Sequence, residues 1–172
     1  MITPAYCRLM ARYNRWQNEA VYAAAATLPD GTRKRNMGAF FKSIHGTLNH
    51  LLVADWVWLA RLHAEPHPVE SLDQELYADF DELRRVRVAT DDRIDRWVAT
   101  LTSERLATEL HYTRLTGGDS TNAIAVTLSH LFNHQTHHRA QAGTLLMQCG
   151  VDPGVTDLIA LPATFASPVF GT

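Results

Sequence analysis

The chain has 172 residues, 46% hydrophobic and 20% charged, a composition that suits one globular domain with a sizeable core. Sixteen Lys and Arg against eighteen Asp and Glu leave a net charge of −2, without the basic excess that phosphate-backbone binding requires, so no nucleic-acid partner is expected. No apolar run reaches bilayer-spanning length, since Asp55 breaks Leu51 to Ala60, and Arg8 and Arg12 interrupt any signal-like segment, so no membrane partner and a cytoplasmic location are expected.

The first predicted helix runs from Tyr6 to Leu28, with Leu9, Tyr13, Trp16 and Ala20 at spacings of three and four, and ends at the breakers Pro29-Asp30-Gly31. A polar loop through Arg33, Lys34, Arg35 and Asn36 leads to the second, Phe40 to about His63, with a stripe of Ile44, Leu48, Leu51, Asp55, Trp58 and Leu62. Pro66 and Pro68 lie beyond its end. The third, Phe80 to Leu101, carries Leu83, Val86, Ile94, Trp97, Val98 and Leu101, with acids in its first turn where the helix dipole favours them. Between Thr102 and Ala123 the helical period fades. Leu110, Tyr112 and Arg114 alternate and Gly117-Gly118 supplies a turn, which predicts a short helix and an irregular hairpin.

The fourth helix is predicted from Thr121 or Asn122 to Cys149, with Ile124, Leu128, Leu131, Leu145 and Leu146 apolar. Ser120, Thr121 and Asn122 are the cap candidates, and Gly150 is the stop. The tail from Val151 to Thr172 is punctuated by Pro153, Gly154, Pro162, Pro168 and Gly171. Its Leu158, Ile159, Leu161 and Phe165 are expected to lay it on the body. The prediction is an all-α fold, a four-helix bundle around one core with an irregular segment between helices three and four, forming a single domain over 1–172. Cys7 and Cys149, far apart in sequence, read as reduced thiols rather than a disulfide framework.

Nine histidines are the anomaly, four of them between His130 and His138. Helical residues four apart lie on one face, so His134 with His138, or His130 with His134, can converge on one ion. A third ligand must come from another helix, and His50, a polar residue in the most apolar stretch of helix two, is the best candidate. Burying several imidazoles without partners costs a few kcal/mol per group, and one divalent cation satisfies several together. His63, His67 and His111 fall at a helix end or in loops and read as solvated. A bundle di-iron site is excluded, because no Glu is followed three residues later by His, and Gln135 stands where a zinc protease carries its glutamate. There is no Cys-x-x-Cys, nucleophile elbow or Gly-rich phosphate loop.

Phe40 to Leu52 with Asp55 and Trp58, and His130-Leu131-Phe132-Asn133-His134-Gln135-Thr136-His137-His138-Arg139-Ala140-Gln141, resemble the signature blocks of the DinB-like damage-inducible proteins, the DinB/YfiT metalloenzyme superfamily. Tyr13 to Asn18, Gly150 to Pro153 and Asp157-Leu158 extend the resemblance over nearly the whole chain; Ala140 departs from it, standing where glycine is commoner. The resemblance implies a four-helix bundle, a homodimer, and a divalent metal held by one histidine of helix two and two of the last helix, here His50, His134 and His138. It also brings thiol-dependent transferases that use bacillithiol or mycothiol, and a mycothiol-dependent maleylpyruvate isomerase, in which the metal lowers the pKa of a thiol cofactor.

The expected cofactor is therefore one divalent metal ion, Zn2+ with Ni2+ as the alternative, joined by a low-molecular-weight thiol. The alternative ligand set puts His130 in place of His138. Three neutral imidazoles with an open position resemble a catalytic zinc arrangement. The expected function is a metal-dependent enzyme such as a low-molecular-weight-thiol S-transferase acting on a small-molecule substrate. A non-catalytic, metal-stabilised stress-response binding or interaction module is the rival. The sequence assigns no catalytic residue; Asn49, Tyr13 and His137 are candidates to support the ion or move a proton. Protons compete with metal at each ligand, so affinity is expected to fall by more than a decade per pH unit well below the ordinary histidine pKa of about 6.5. Trp56, off the stripe of helix two, is read as outward-facing and as support for the homodimer.

Overall fold

Thr3 opens the first helix: its side chain accepts the Tyr6 N–H at 3.2 Å, and Pro4, which has no N–H to satisfy, takes the first helical position. The computed structural model describes residues 2–166, so Pro168 and Gly171 of the expected tail lie outside the described residues. Its elements are α1 (Pro4–Ala26), α2 (Asp30–Lys34), α3 (Ile44–His63), α4 (Phe80–Ala99), α5 (Ser103–Ala107), β1 (Glu109–Thr113), β2 (Asp119–Ala123), α6 (Ile124–Gln148) and α7 (Ala163–Ala166), with a short 3-10 turn at Leu158–Ala160. The four long helices pack as a bundle, α1 against α4 and α6, and α3 against α6 and α4.

Local chemistry sets the other ends. Ser43 caps α3 by accepting the Gly46 N–H, and Asp79 caps α4 by accepting that of Glu82, each cap contributing about 1 kcal/mol. Phe40 to Lys42 thus precede the second long helix instead of opening it. The breaker run after α1 itself coils into α2, where Asp30 pairs with Lys34 at 2.7 Å. The predicted hairpin is present: β1 and β2 pair antiparallel from Glu109 opposite Ala123 to Thr113 opposite Asp119, and Gly117 and Gly118 take φ of 86° and 82° in its turn. Ser120, Thr121 and Asn122 are consequently strand residues and do not cap α6. Its first N–H, from Ile124, goes instead to the Thr108 carbonyl at 2.9 Å. Gly150, at φ 78°, stops α6 as expected.

The interior is not one apolar core. One cluster gathers Cys7, Ala11, Leu59, Ile94, Val98, Leu128 and Phe132; another gathers Val21, Tyr22, Ile44, Leu48, Leu51, Leu83 and Leu146. Between them the middle of each long helix contributes buried polar groups: Asn14, Gln17 and Asn18; Asp55; Arg87 and Asp91; Gln135 and Arg139. Arg87 lies 2.6 Å from Asp55 and 2.9 Å from Asp91. Asn18 donates to Asp91, and Arg139 donates to Asn14, Asn18 and Gln135. Two guanidinium groups thus face two carboxylates, which leaves the layer formally neutral.

That layer corrects the reading of α1. Its buried face is Cys7, Ala11, Asn14, Asn18, Val21 and Ala25, whereas Leu9, Trp16 and Ala20 are half-buried. The polar residues continue an apolar period because their partners lie inside the bundle. Trp56 does not face outward either: it is half-buried, edge-on to Tyr77, and donates to Thr90 at 3.2 Å. The segment after α6 lies along α1, with the Tyr13 hydroxyl donating to the Thr156 carbonyl at 2.6 Å and Gln17 to Val155 at 3.0 Å. Within it Leu161 and Phe165 are half-buried as expected, but Leu158 and Ile159 are exposed, Ile159 at 96%. Cys7 and Cys149 are both free thiols, and burial pushes the Cys7 thiol up to about 11.

Candidate metal centre

His50 sits on α3 two residues after Leu48 and faces away from the apolar core that Leu48 and Leu51 enter. His134 and His138, one helical turn apart on α6, come opposite it where α3 and α6 pack. One ring nitrogen from each of the three lies within 4.8 Å of the others, and the Nε2 atoms of His50 and His134 are 3.2 Å apart. His130, the alternative to His138, stands outside this group. It packs edge-on against Trp58 at a ring separation of 5.2 Å.

The outer nitrogens fix the orientation. His50 Nδ1 donates to the Leu72 carbonyl at 2.7 Å, and His138 Nδ1 donates to Gln141 Oε1 at 2.8 Å, which leaves each Nε2 with a lone pair. The Gln141 amide in turn donates to His137 Nε2 at 3.1 Å, tying the fourth histidine of the run to the same support. Phe41 stacks on His50 with centroids 3.7 Å apart and planes at 15°. Phe41 is held there by a tight turn in which Lys42 takes φ 67° and the Phe41 carbonyl crowds Gly46. Any side chain at Gly46 would strike that oxygen, so this position requires glycine.

Electrostatics keep the rings neutral. Burial pushes His50 down to about 4, while the hydrogen bond to Leu72 opposes the shift only in part. Burial, followed by the neighbouring imidazoles His138 and His50, pushes His134 down to about 3. His138 is also lowered, first by burial. Three neutral imidazoles with converging nitrogens, two of them with the Nε2 lone pair set by an outer hydrogen bond, are a donor set for a borderline divalent cation, and this geometry can hold one. A cavity of about 660 Å³ opens onto the same three residues between Phe40, Phe41, Asp73 and His137, so the group is reachable from outside.

The other candidates are engaged elsewhere. Asn49 accepts the Tyr77 N–H at 3.0 Å and donates to the Tyr77 carbonyl at 3.1 Å, which fixes the connection between α3 and α4. Tyr13 belongs to the contact between α1 and the C-terminal segment. Gln135 is fully buried, donating to the Leu51 carbonyl and accepting from Arg139, so it faces the polar layer and not the three histidines. His111 is exposed on β1, as expected of a solvated group. His63 accepts from Arg93 at 3.0 Å, and His67 is half-buried in the connection after α3. Sequence reasoning missed Phe41 and the Leu72 carbonyl as supports. The aromatic pair before the Ser43 cap was the available signal for Phe41; a backbone carbonyl 22 residues from its partner leaves none.

The DinB family model matches residues 1–164. Protein DinB of Bacillus subtilis (strain 168) is 23% identical over 151 residues, spanning 84% of this chain and 87% of that one. The crystal structure of a DinB-like protein from Bacillus cereus ATCC 10987 is similar with a TM-score of 0.57 at 21% identity, covering 81% of this chain and 91% of that one, a likeness of fold.

Proposed function

This chain belongs to the DinB family, and from that premise we propose that it is a metal-dependent enzyme that joins a low-molecular-weight thiol to a small electrophilic substrate. His50, His134 and His138 would hold the ion, Zn2+ first and Ni2+ as the alternative. The single observation that carries this reading is the convergence of their ring nitrogens within 4.8 Å at the floor of an open cavity. Bound there, a divalent cation stabilises the anion of a thiol or of water and so supplies a nucleophile at neutral pH. The protein's own part is positional. Leu72 and Gln141 orient His50 and His138 through their outer nitrogens, Phe41 covers one face of His50, and His137 at the lip of the cavity offers an exposed imidazole for proton exchange with solvent.

The test is a conjugation assay on untagged, zinc-loaded protein with bacillithiol or mycothiol and a fluorogenic bimane electrophile. Turnover is expected that disappears on chelation and returns with added zinc. Absence of turnover with every thiol, combined with a large fall in Tm on chelation, would favour the non-catalytic, metal-stabilised stress-response module instead.

We also propose a homodimer. Met147, Val155 and Ile159, at 57%, 58% and 96% exposure, leave apolar side chains uncovered near the end of α6 and in the segment that follows it. Light scattering at micromolar protein is expected to give twice the chain mass, and a monomer there sinks the proposal.

A further inference from the structure

A second cleft, of about 360 Å³, meets the three histidines from the other side, between α3, α6 and the β1–β2 hairpin. His50, Leu72 and His134 line both it and the cavity that holds His138. Its size is at the lower end of ligand pockets, about 300–1,000 Å³. Val57, Trp58, Tyr112 and Leu115 make its walls mostly apolar and aromatic.

Two cations face this cleft, Arg61 and Arg114, and no Asp or Glu lines it. Arg61 lies over the rings of Trp58 and Tyr112 at 4.7 and 4.5 Å and donates to the Thr113 carbonyl at 3.0 Å, so its fork is held in place. Arg114, exposed at the hairpin turn, is held by the Gly118 carbonyl. Among the described residues neither has a carboxylate partner, whereas Arg15, Arg33, Arg87 and Arg93 each do. Arg61 is half-buried, and that burial, with no counter-ion, lowers its pKa from the ordinary value; the group remains charged at neutral pH. A half-buried guanidinium fixed on two aromatic rings, with its charge uncompensated, is suited to a carboxylate.

We propose that this cleft binds a small organic carboxylate with a flat apolar body, its carboxylate on Arg61 and Arg114 and its body between Trp58, Tyr112 and Leu115, so that the far end of the molecule is presented to the metal centre. The inference names the substrate class of the site and rests on the proposed function in that respect. It differs from it in making the hairpin, and not the histidines, the source of specificity.

Titration calorimetry with 4-methylbenzoate and its neutral counterpart 4-methylbenzamide tests it, on zinc-loaded protein whose metal content is measured in the same sample. The carboxylate is expected to bind at least tenfold more tightly than the amide. Arg61→Gln should weaken it at least tenfold and Arg114→Gln at least threefold, with Arg61→Lys intermediate because it keeps the charge without the fork. Thermal unfolding checks that Arg61→Gln still folds, and Arg114→Gln, at an exposed position, keeps the test decisive if it does not. Wild-type protein stripped of its metal by chelation should retain binding within about threefold. Equal binding of the amide, no carboxylate binding at millimolar ligand, or carboxylate binding that ignores both arginine variants and vanishes with the metal would each overturn the proposal, the last while leaving the metal site intact. Arginine-dependent binding to a wild-type protein that takes up no metal on zinc loading would uphold the anion site and remove the proposed function.

Discussion

Replacing His134 with alanine is expected to lower zinc affinity by more than about a hundredfold, beyond the 10–100-fold typical of losing a group that merely supports a ligand. His134 is central: its Nε2 is 3.2 Å from that of His50, and its ring is 4.3 Å from that of His138. His50→Ala should behave likewise, while His130→Ala, outside the group, should change affinity by less than threefold. Metal analysis and chelator competition on untagged protein read all three, and stoichiometric zinc surviving His134→Ala would exclude this site. The structure also relocates the acid dependence expected from free histidines. In the metal-free fold burial pushes His50 and His134 down to about 4 and about 3 and lowers His138 as well, so protons compete for the folded site at lower pH than they would for free histidines, whose ordinary value is about 6.5. Because the unfolded chain binds protons first, metal-free stability is complete above about pH 6.5 and is lost as pH falls toward the folded values. Metal is therefore expected to stay bound at pH 5 and to leave in a steep step near pH 4, while the Tm of metal-free protein declines across the whole interval. A Tm independent of pH between 7 and 4 would contradict the assignment.

Arg87→Met is expected to destabilise the protein by about 3–5 kcal/mol, the largest effect of any substitution away from the histidines. Arg87 is 1% exposed and is the only cation in direct contact with either Asp55 or Asp91 among the described residues, so its removal strands two buried carboxylates. Burial by itself works against the Arg87 charge, but Asp91 and Asp55 outweigh it and hold its pKa above the ordinary arginine value. Denaturant unfolding measures the loss. The accompanying double variant Asp55→Leu, Arg87→Met should recover part of it, because it removes one charge of each sign and leaves Asp91 balanced by Arg139 in the same layer. A cost below about 1 kcal/mol for Arg87→Met would show that water reaches the layer.

The sequence by itself determined the helices, the hairpin and the histidines, because each is encoded by near neighbours. Periods of three and four residues give amphipathic helices, Gly117-Gly118 gives a turn that other residues would strain, and the spacing of His134 and His138 places two imidazoles on one face whatever lies opposite. His50 was legible because a polar residue in an apolar stretch requires a partner. Its partners were not all legible. The Leu72 carbonyl reaches it from a connection without periodic pattern, and only the packing of that connection, with Val69 buried against Val53 and Val57, puts the oxygen within 2.7 Å. The polar middle layer was hidden for the converse reason. Asn14, Asn18, Arg87 and Asp91 look like solvated faces when each helix is taken alone, and become buried only because the other helices bring opposite charges and matching amides to the same height. Tertiary structure likewise turned Trp56 inward, made strand of the expected caps of α6, and set Arg61 and Arg114 around one cleft. Those outcomes depend on contacts between residues distant in the chain, whose energies no local period or spacing carries.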